Sequence, residues 1–398
     1  MAARAAGAGL AAGLVLLTAA VPAGASVRAD GEQKLPAMPS ALGDDPQRSP
    51  CTPASRTAAE QVDWSRQRLD LGRLRDHGTG EGVTVAVIDT GVAADAPALR
   101  GRVTAHGGAG EDCVGHGTFV AHLVAGAGGS SSDLAGVAPG ARVLGLRGTD
   151  DRGRPDAALV ARALQDATEA KADVITVSVA LPRRSGELTR AVEAAVRSGA
   201  VVVAAAVPDP PAATEDPVPS RPYWPASEPG VISVLDMQPS GARSERALRT
   251  TGVDLAAPGV GVVAGGPRGS GHFLGSGASL AAAYTAGAAA VVRAAHPDAS
   301  ADEVARRLVS SAYPADVPQL DPYAAVTAVA DFAAQEAAPA PVETVRMRDT
   351  SAADRATDRA TLLAVGGGAG LLAVVWAAMT LPRARARGWR PAEPEPRN

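Results

Sequence analysis

Val83-Thr84-Val85-Ala86-Val87-Ile88-Asp89-Thr90-Gly91 is a β-branched, apolar run that closes on an aspartate and a turn. Such a run has the pattern of a strand buried on both faces, as strands are in a parallel sheet. Its carboxylate falls at the strand's C-terminal edge, where α/β sheets place their sites. Working outward, further strands are expected at 143–146, 174–178, 200–206 and 231–234, and helices at 156–169 and 188–197. Alternation of this kind predicts an α/β fold, a mostly parallel sheet with helices on both faces.

Two more stretches carry chemistry. Gly115-His116-Gly117-Thr118-Phe119-Val120-Ala121-His122-Leu123-Val124-Ala125-Gly126 sets a histidine between glycines at the start of an apolar helix. Gly275-Ser276-Gly277-Ala278 is a small-residue turn that delivers Ser279 onto the first turn of a long Ala-rich helix. Free N–H groups and the positive dipole end lie beside that hydroxyl, where negative charge develops in acyl transfer. Alone, the serine is equally a helix cap. His296-Pro297 ends this helix, and Ser300 with Glu303 reads as a capping box for the next. His122 lies six residues after His116, off its helical face, so a two-histidine metal site is not indicated. The other histidines read as surface or packing residues, and no metal or cofactor is expected.

The order Asp89, His116, Ser279 is the subtilisin order of the serine-protease triad. With these motifs the chain resembles the subtilases and, more narrowly, the mycosins, the membrane-anchored subtilases of type VII secretion systems. The resemblance covers roughly 51–381 and includes Gly136-Val137-Ala138-Pro139-Gly140-Ala141 and Ala256-Ala257-Pro258-Gly259. It implies a subtilisin-like three-layer fold. It also implies roles: Asp89 orients His116, His116 takes the proton of Ser279, and Ser279 attacks the substrate carbonyl. Ser178, Val179 and Ala180 would line the pocket for the residue before the scissile bond. The implied partners are a protein or peptide substrate and the type VII membrane complex.

The rest of the chain fits an exported, anchored protein. Residues 1–25 have a basic start at Arg4, a short apolar core and Ala23-Gly24-Ala25, the pattern of a signal peptide. An N-terminal extension follows over 26–80, with helical spacing across 58–74 around Val62, Leu69 and Leu71. The peptidase domain is expected over 81–332 and an Ala/Pro-rich linker over 333–360. Residues 361–381 carry no charge and reach about 31 Å as a helix, enough for one membrane span in contact with lipid. Arg383, Arg385, Arg387 and Arg390 follow, which puts the tail 382–398 in the cytoplasm and the peptidase domain outside. The net charge of −4 gives no ground for a polyanionic partner, and no nucleic acid is expected. Of the two cysteines, Cys51 lies in the extension and Cys113 just before His116. The mycosin pattern pairs two such cysteines, and export favours a bridge over two free thiols.

The chain departs from its family in three places. Ala278 stands where the family has threonine, and Ala283 where it has proline. Subtilases also place an asparagine after the strand matching 200–206, and its amide completes the oxyanion hole. Here that strand runs into Val207-Pro208-Asp209-Pro210-Pro211, and the only asparagine is Asn398. The Ser279 N–H and the helix N-terminus would be the surviving donors. Two readings stay open: a slowed serine endopeptidase, and a pseudoprotease that serves as a structural component of the secretion complex.

Overall fold

The computed structural model describes residues 34–128, 134–210, 220–243, 247–329 and 351–388. The expected signal peptide and the end of the tail lie outside them. The chain divides into two compact units, Met1–Ala334 and Gln335–Asn398.

In the first unit the strands are β1 (Thr84–Asp89), β2 (Val103–Ala105), β3 (Arg142–Arg147), β4 (Val174–Val177), β5 (Val201–Ala205), β6 (Val231–Met237) and β7 (Leu255–Pro258). They form one sheet in the order β2-β3-β1-β4-β5-β6-β7, and every pair is parallel. A separate antiparallel hairpin joins β8 (Val260–Gly265) to β9 (His272–Ser276). The helices are α1 (Trp64–Arg68), α2 (Leu71–Leu74), α3 (His116–Ala125), α4 (Ala157–Glu169), α5 (Gly186–Arg197), α6 (Ala278–Ala295), α7 (Ala301–Ser310) and α8 (Pro322–Thr327).

The central strands are largely apolar because both sheet faces are covered. Val85, Val87, Val174, Val203 and Val234 face a core that includes the buried side chains of α3 and α6. Their neighbours Ala86, Ile88, Ile175, Val177 and Val202 face the opposite core, with α4 and α5. That is the period of two of a strand, played out between two helical layers. From β1 the chain builds one side of the sheet through β3 and β2 and the other through β4 to β7. The order therefore reverses at β1, and Asp89 stands at the end of that strand, where a crevice is expected.

α6 runs through the centre, with every residue from Ala278 to Val292 buried. By length and composition alone it would pass for a membrane span. Its alanines instead let it thread between the sheet and α3. α4, α5 and α7 start on the side chains of Asp156, Ser185 and Ser300, as N-caps should. Only half of the expected capping box forms: Ser300 accepts from Glu303 N at 3.2 Å, while the Glu303 carboxylate turns to Arg307.

Several elements differ from the sequence reading. Ala256, Ala257 and Pro258 of the family match Ala256-Ala257-Pro258-Gly259 lie in strand β7 (Leu255–Pro258); the proline sits at its last position, on the sheet's edge. The β8–β9 hairpin gave no alternating pattern to read. The helical spacing at 58–74 resolves into two short helices, because Asp70 between them takes a left-handed φ of 47°.

The second unit contains α9 (Ser351–Ala386), so residues 351–360, expected as linker, are helical. Its stretch Thr357–Ala386 is long and apolar enough to cross a membrane, and none of its most apolar window is buried.

Candidate active site

Asp89 ends β1, His116 opens α3 and Ser279 is the second residue of α6. The fold brings the three together. His116 Nδ1 lies 2.9 Å from each Asp89 carboxylate oxygen, and His116 Nε2 lies 3.2 Å from Ser279 Oγ. Asp89 is 1% exposed, His116 6% and Ser279 0%.

A second layer of polar groups fixes the start of α3. Asp112 Oδ1 accepts from Gly115 N at 2.7 Å and from Thr90 Oγ1 at 2.9 Å. Its Oδ2 accepts from Thr118 N at 2.9 Å and Thr118 Oγ1 at 2.7 Å. Thr90 Oγ1 in turn accepts from Gly117 N. These are the free donors of a helix N-terminus, satisfied by a buried carboxylate. Gly117 has to be glycine, since a Cβ there would stand 2.0 Å from Gly91 O. Sequence reading missed Asp112; its place three residues before the N-cap Gly115 was the available signal.

Electrostatics follow from burial and neighbours. Burial pushes the Asp89 carboxyl up, but the His116 charge and hydrogen bond outweigh it and hold Asp89 below its usual range. Burial pulls His116 down. The Asp89 charge, hydrogen bonds to Asp209 and Asp89, and the Asp209 charge together hold it well above its ordinary value. For Asp112 burial wins over its hydrogen bonds, and its carboxyl is raised. His122 is a neutral packing residue: burial, with Arg66 and His272 nearby, lowers it to about 3. Its Nδ1 accepts from Gly265 N at 2.6 Å.

Asp209 is the unexpected member of the site. Its Oδ1 accepts from Ser279 N at 3.0 Å, and its Oδ2 accepts from the Ser279 hydroxyl and lies 3.1 Å from His116 Nε2. The Ser279 N–H, expected to be a free oxyanion donor, is therefore already engaged. A cavity of about 350 Å³ opens beside these groups. Ser178, Val179 and Ala180 form part of its wall, with Asp209 and His116 among the other lining residues. Ser40 and Ala41 of the extension line it too, which nothing in the sequence signalled. Ser40 Oγ donates to Pro210 O at 2.9 Å, next to Asp209.

The extension is held close by. Cys51 and Cys113 are joined as a disulfide, and Thr52 N donates to Cys113 O at 2.9 Å. Met38 pairs with Leu274 on β9, and Arg152 donates to Gly43 O and Ser49 O. Among the described residues no group of three or more His, Cys, Asp or Glu side chains could hold a metal ion.

The sequence model described as "Subtilase family" matches residues 80–360. The chain belongs to the subtilase family. Within it, this subtilase is 32% identical over 303 residues to Mycosin-1 of Mycobacterium tuberculosis, covering 63% of this chain and 68% of that protein. It is 31% identical over 264 residues to Subtilisin E of Bacillus subtilis, covering 64% of this chain and 67% of that protein. Among solved structures, it is similar to the MycP3 protease from the type VII (ESX-3) secretion system. The TM-score is 0.59 at 30% identity, over 70% of this chain and 91% of that one. MycP1 from Mycobacterium smegmatis matches with a TM-score of 0.62 at 27% identity, over 79% of this chain and 94% of the other. The subtilase fold expected from the sequence is thus the fold of the protein, and the mycosins are among its relatives.

Proposed function

We propose that this subtilase is a serine endopeptidase, anchored to the membrane by one helix and working in type VII secretion. The carrying observation is the hydrogen-bonded line from Asp89 through His116 to Ser279. In the proposed reaction Asp89 holds the ring with Nδ1–H toward itself and stabilises the imidazolium that forms. Neutral His116 takes the Ser279 proton at Nε2 as Oγ attacks the peptide carbonyl. His116 then protonates the leaving amine, and water repeats the sequence on the acyl-enzyme. An extended peptide would lie along Ser178-Val179-Ala180 as an added strand, a mode in which main-chain hydrogen bonds supply the affinity. The mycosin relatives support the secretion role, and the arginines from the last turn of α9 onward support a cytoplasmic tail with the peptidase domain outside.

A second reading is favoured by one observation: Asp209, a carboxylate, stands against Ser279 where the family supplies an amide donor. On that reading the chain is a pseudoprotease with a structural part in the secretion complex. Full-length protein in detergent should be labelled covalently by a fluorophosphonate at Ser279, and Ser279→Ala should not be labelled. Absence of labelling over hours in folded protein, in Asp209→Asn as well as in wild type, would decide for the structural role.

A further inference from the structure

Hydrolysis of a peptide by Ser279 would leave a carboxylate at the reaction centre. One of its oxygens would lie on the Ser279 N–H, the other between Ser279 Oγ and His116 Nε2. The Asp209 carboxylate makes this set of contacts: Oδ1 with Ser279 N at 3.0 Å, Oδ2 with the Ser279 hydroxyl, and Oδ2 with His116 Nε2 at 3.1 Å. Its side chain is only 7% exposed. Gly277 leaves the space for it, since a Cβ there would stand 2.1 Å from Asp209 Oδ1. Beneath it Ser279 has no exposure at all.

We infer that Asp209 is an internal mimic of the product carboxylate, so that the site rests occupied by its own chain and substrate must displace this side chain to reach Ser279. The inference rests on the protease reading for the word product; the seat of the carboxylate does not. The resting state is closed in two ways. The hole that would receive the developing oxyanion already holds negative charge, and a carboxylate offers it no donor. The base is also disabled: the buried ring has a carboxylate at each nitrogen, Asp89 from β1 and Asp209 from the segment after β5. Ser279 of α6 adds a neutral hydroxyl, and Asp112 lies behind Asp89. Between two carboxylates the imidazolium is the favoured form, and an imidazolium cannot accept the Ser279 proton.

Asp209→Asn changes both conditions at once. It removes the charge and offers an amide N–H where the oxyanion forms. Asp209→Ala removes the charge and offers nothing. Full-length wild type and both variants, each paired with Ser279→Ala, are compared in detergent by two readouts. The first is the rate of labelling by a fluorophosphonate. Asp209→Asn should label about 10²–10³ times faster than wild type, the range for one oxyanion donor, with Asp209→Ala between them. The second is the pH titration of the His116 ring nitrogens by ¹⁵N NMR, which needs no activity. The ring should titrate at lower pH in both variants than in wild type. An unchanged His116 titration in both variants would overturn the inference whatever the rates. A shifted titration with no labelling in any form would support the seated carboxylate and overturn the protease reading instead. Labelling of Asp209→Ala as fast as Asp209→Asn would overturn the donor half of the argument.

Discussion

At His116 a single imidazole lies between Asp89 and Asp209, and this fixes how stability should change with pH. The folded ring holds its proton well above its ordinary value, so the folded state binds that proton more tightly than the unfolded chain does. The stabilisation is fully present below the unfolded value, about 6.5, and is lost as pH rises through the raised folded value. The melting temperature of wild type should therefore fall on going from neutral into alkaline pH, by more than that of Asp209→Asn. If the chain is a protease, the same proton opposes catalysis, because the base must be neutral. On the protease reading, kcat/KM against pH reports the free enzyme, and its rise should lie at higher pH in wild type than in Asp209→Asn. Thermal melts and pH–rate profiles on the two proteins check both statements. At this scale the sequence made Asp89, His116 and Ser279 legible as types in order. It also showed Asp209 in the segment that lacks the family's asparagine, but not as a ligand of Ser279.

At the scale of elements, the extension is tied down by a covalent link and by one buried cation. Arg66 on α1 donates to Leu134 O, Ala135 O and Val263 O at 2.9–3.0 Å and pairs with Asp63 at 3.0 Å. It thereby joins α1 to the hairpin and to the segment after α3. The Cys51–Cys113 bridge closes a loop with a sequence separation of 62, beside the first turn of α3. In the chain-entropy view a loop of that length stabilises the fold by about 4 kcal/mol. Replacing both cysteines by serine should lower the unfolding free energy by up to about that amount and leave Thr52 and its neighbours open to early proteolysis. Denaturant melts and limited proteolysis of exported protein check this. Two thiols found free to alkylation without reduction would remove the bridge itself. The pairing was readable from the export signal with only two cysteines, which allow one bridge, and from the family's pattern. Arg66 was not read: apart from Asp63, three residues before it, its partners are carbonyls whose positions depend on the packed fold.

For the whole molecule the expected topology is one span within α9, with the peptidase domain outside and the tail in the cytoplasm. Shaving intact cells with an added protease should remove the domain and spare a tag placed after Asn398. Loss of the tag with the domain retained would reverse the orientation. The arginines from Arg383 onward carry this expectation, since basic residues flanking a span are retained on the cytoplasmic side. Composition alone does not separate a span from a core helix here. α6 and α9 both have the length and apolar content, and packing shows which is core: α6 is enclosed by the sheet and α3, while none of the most apolar window of α9 is buried.

The sequence by itself determined the layered α/β fold. A strand buried on both faces is apolar along its buried positions, and 85–88 says so without reference to the rest of the chain. It determined the identities of Asp89, His116 and Ser279 and the lack of an asparagine after β5 for the same reason, since each is a local identity at a motif position. Short polar or Gly-rich elements such as the β8–β9 hairpin escaped because their pattern is set by neighbours rather than by period. The occupant of the site was decided only by the tertiary structure. Asp209 and Ser279 are 70 residues apart, and one sits on the other because β5 and α6 meet in the packed core. A sequence states that a carboxylate is available; where its oxygens lie depends on the path of the backbone between them.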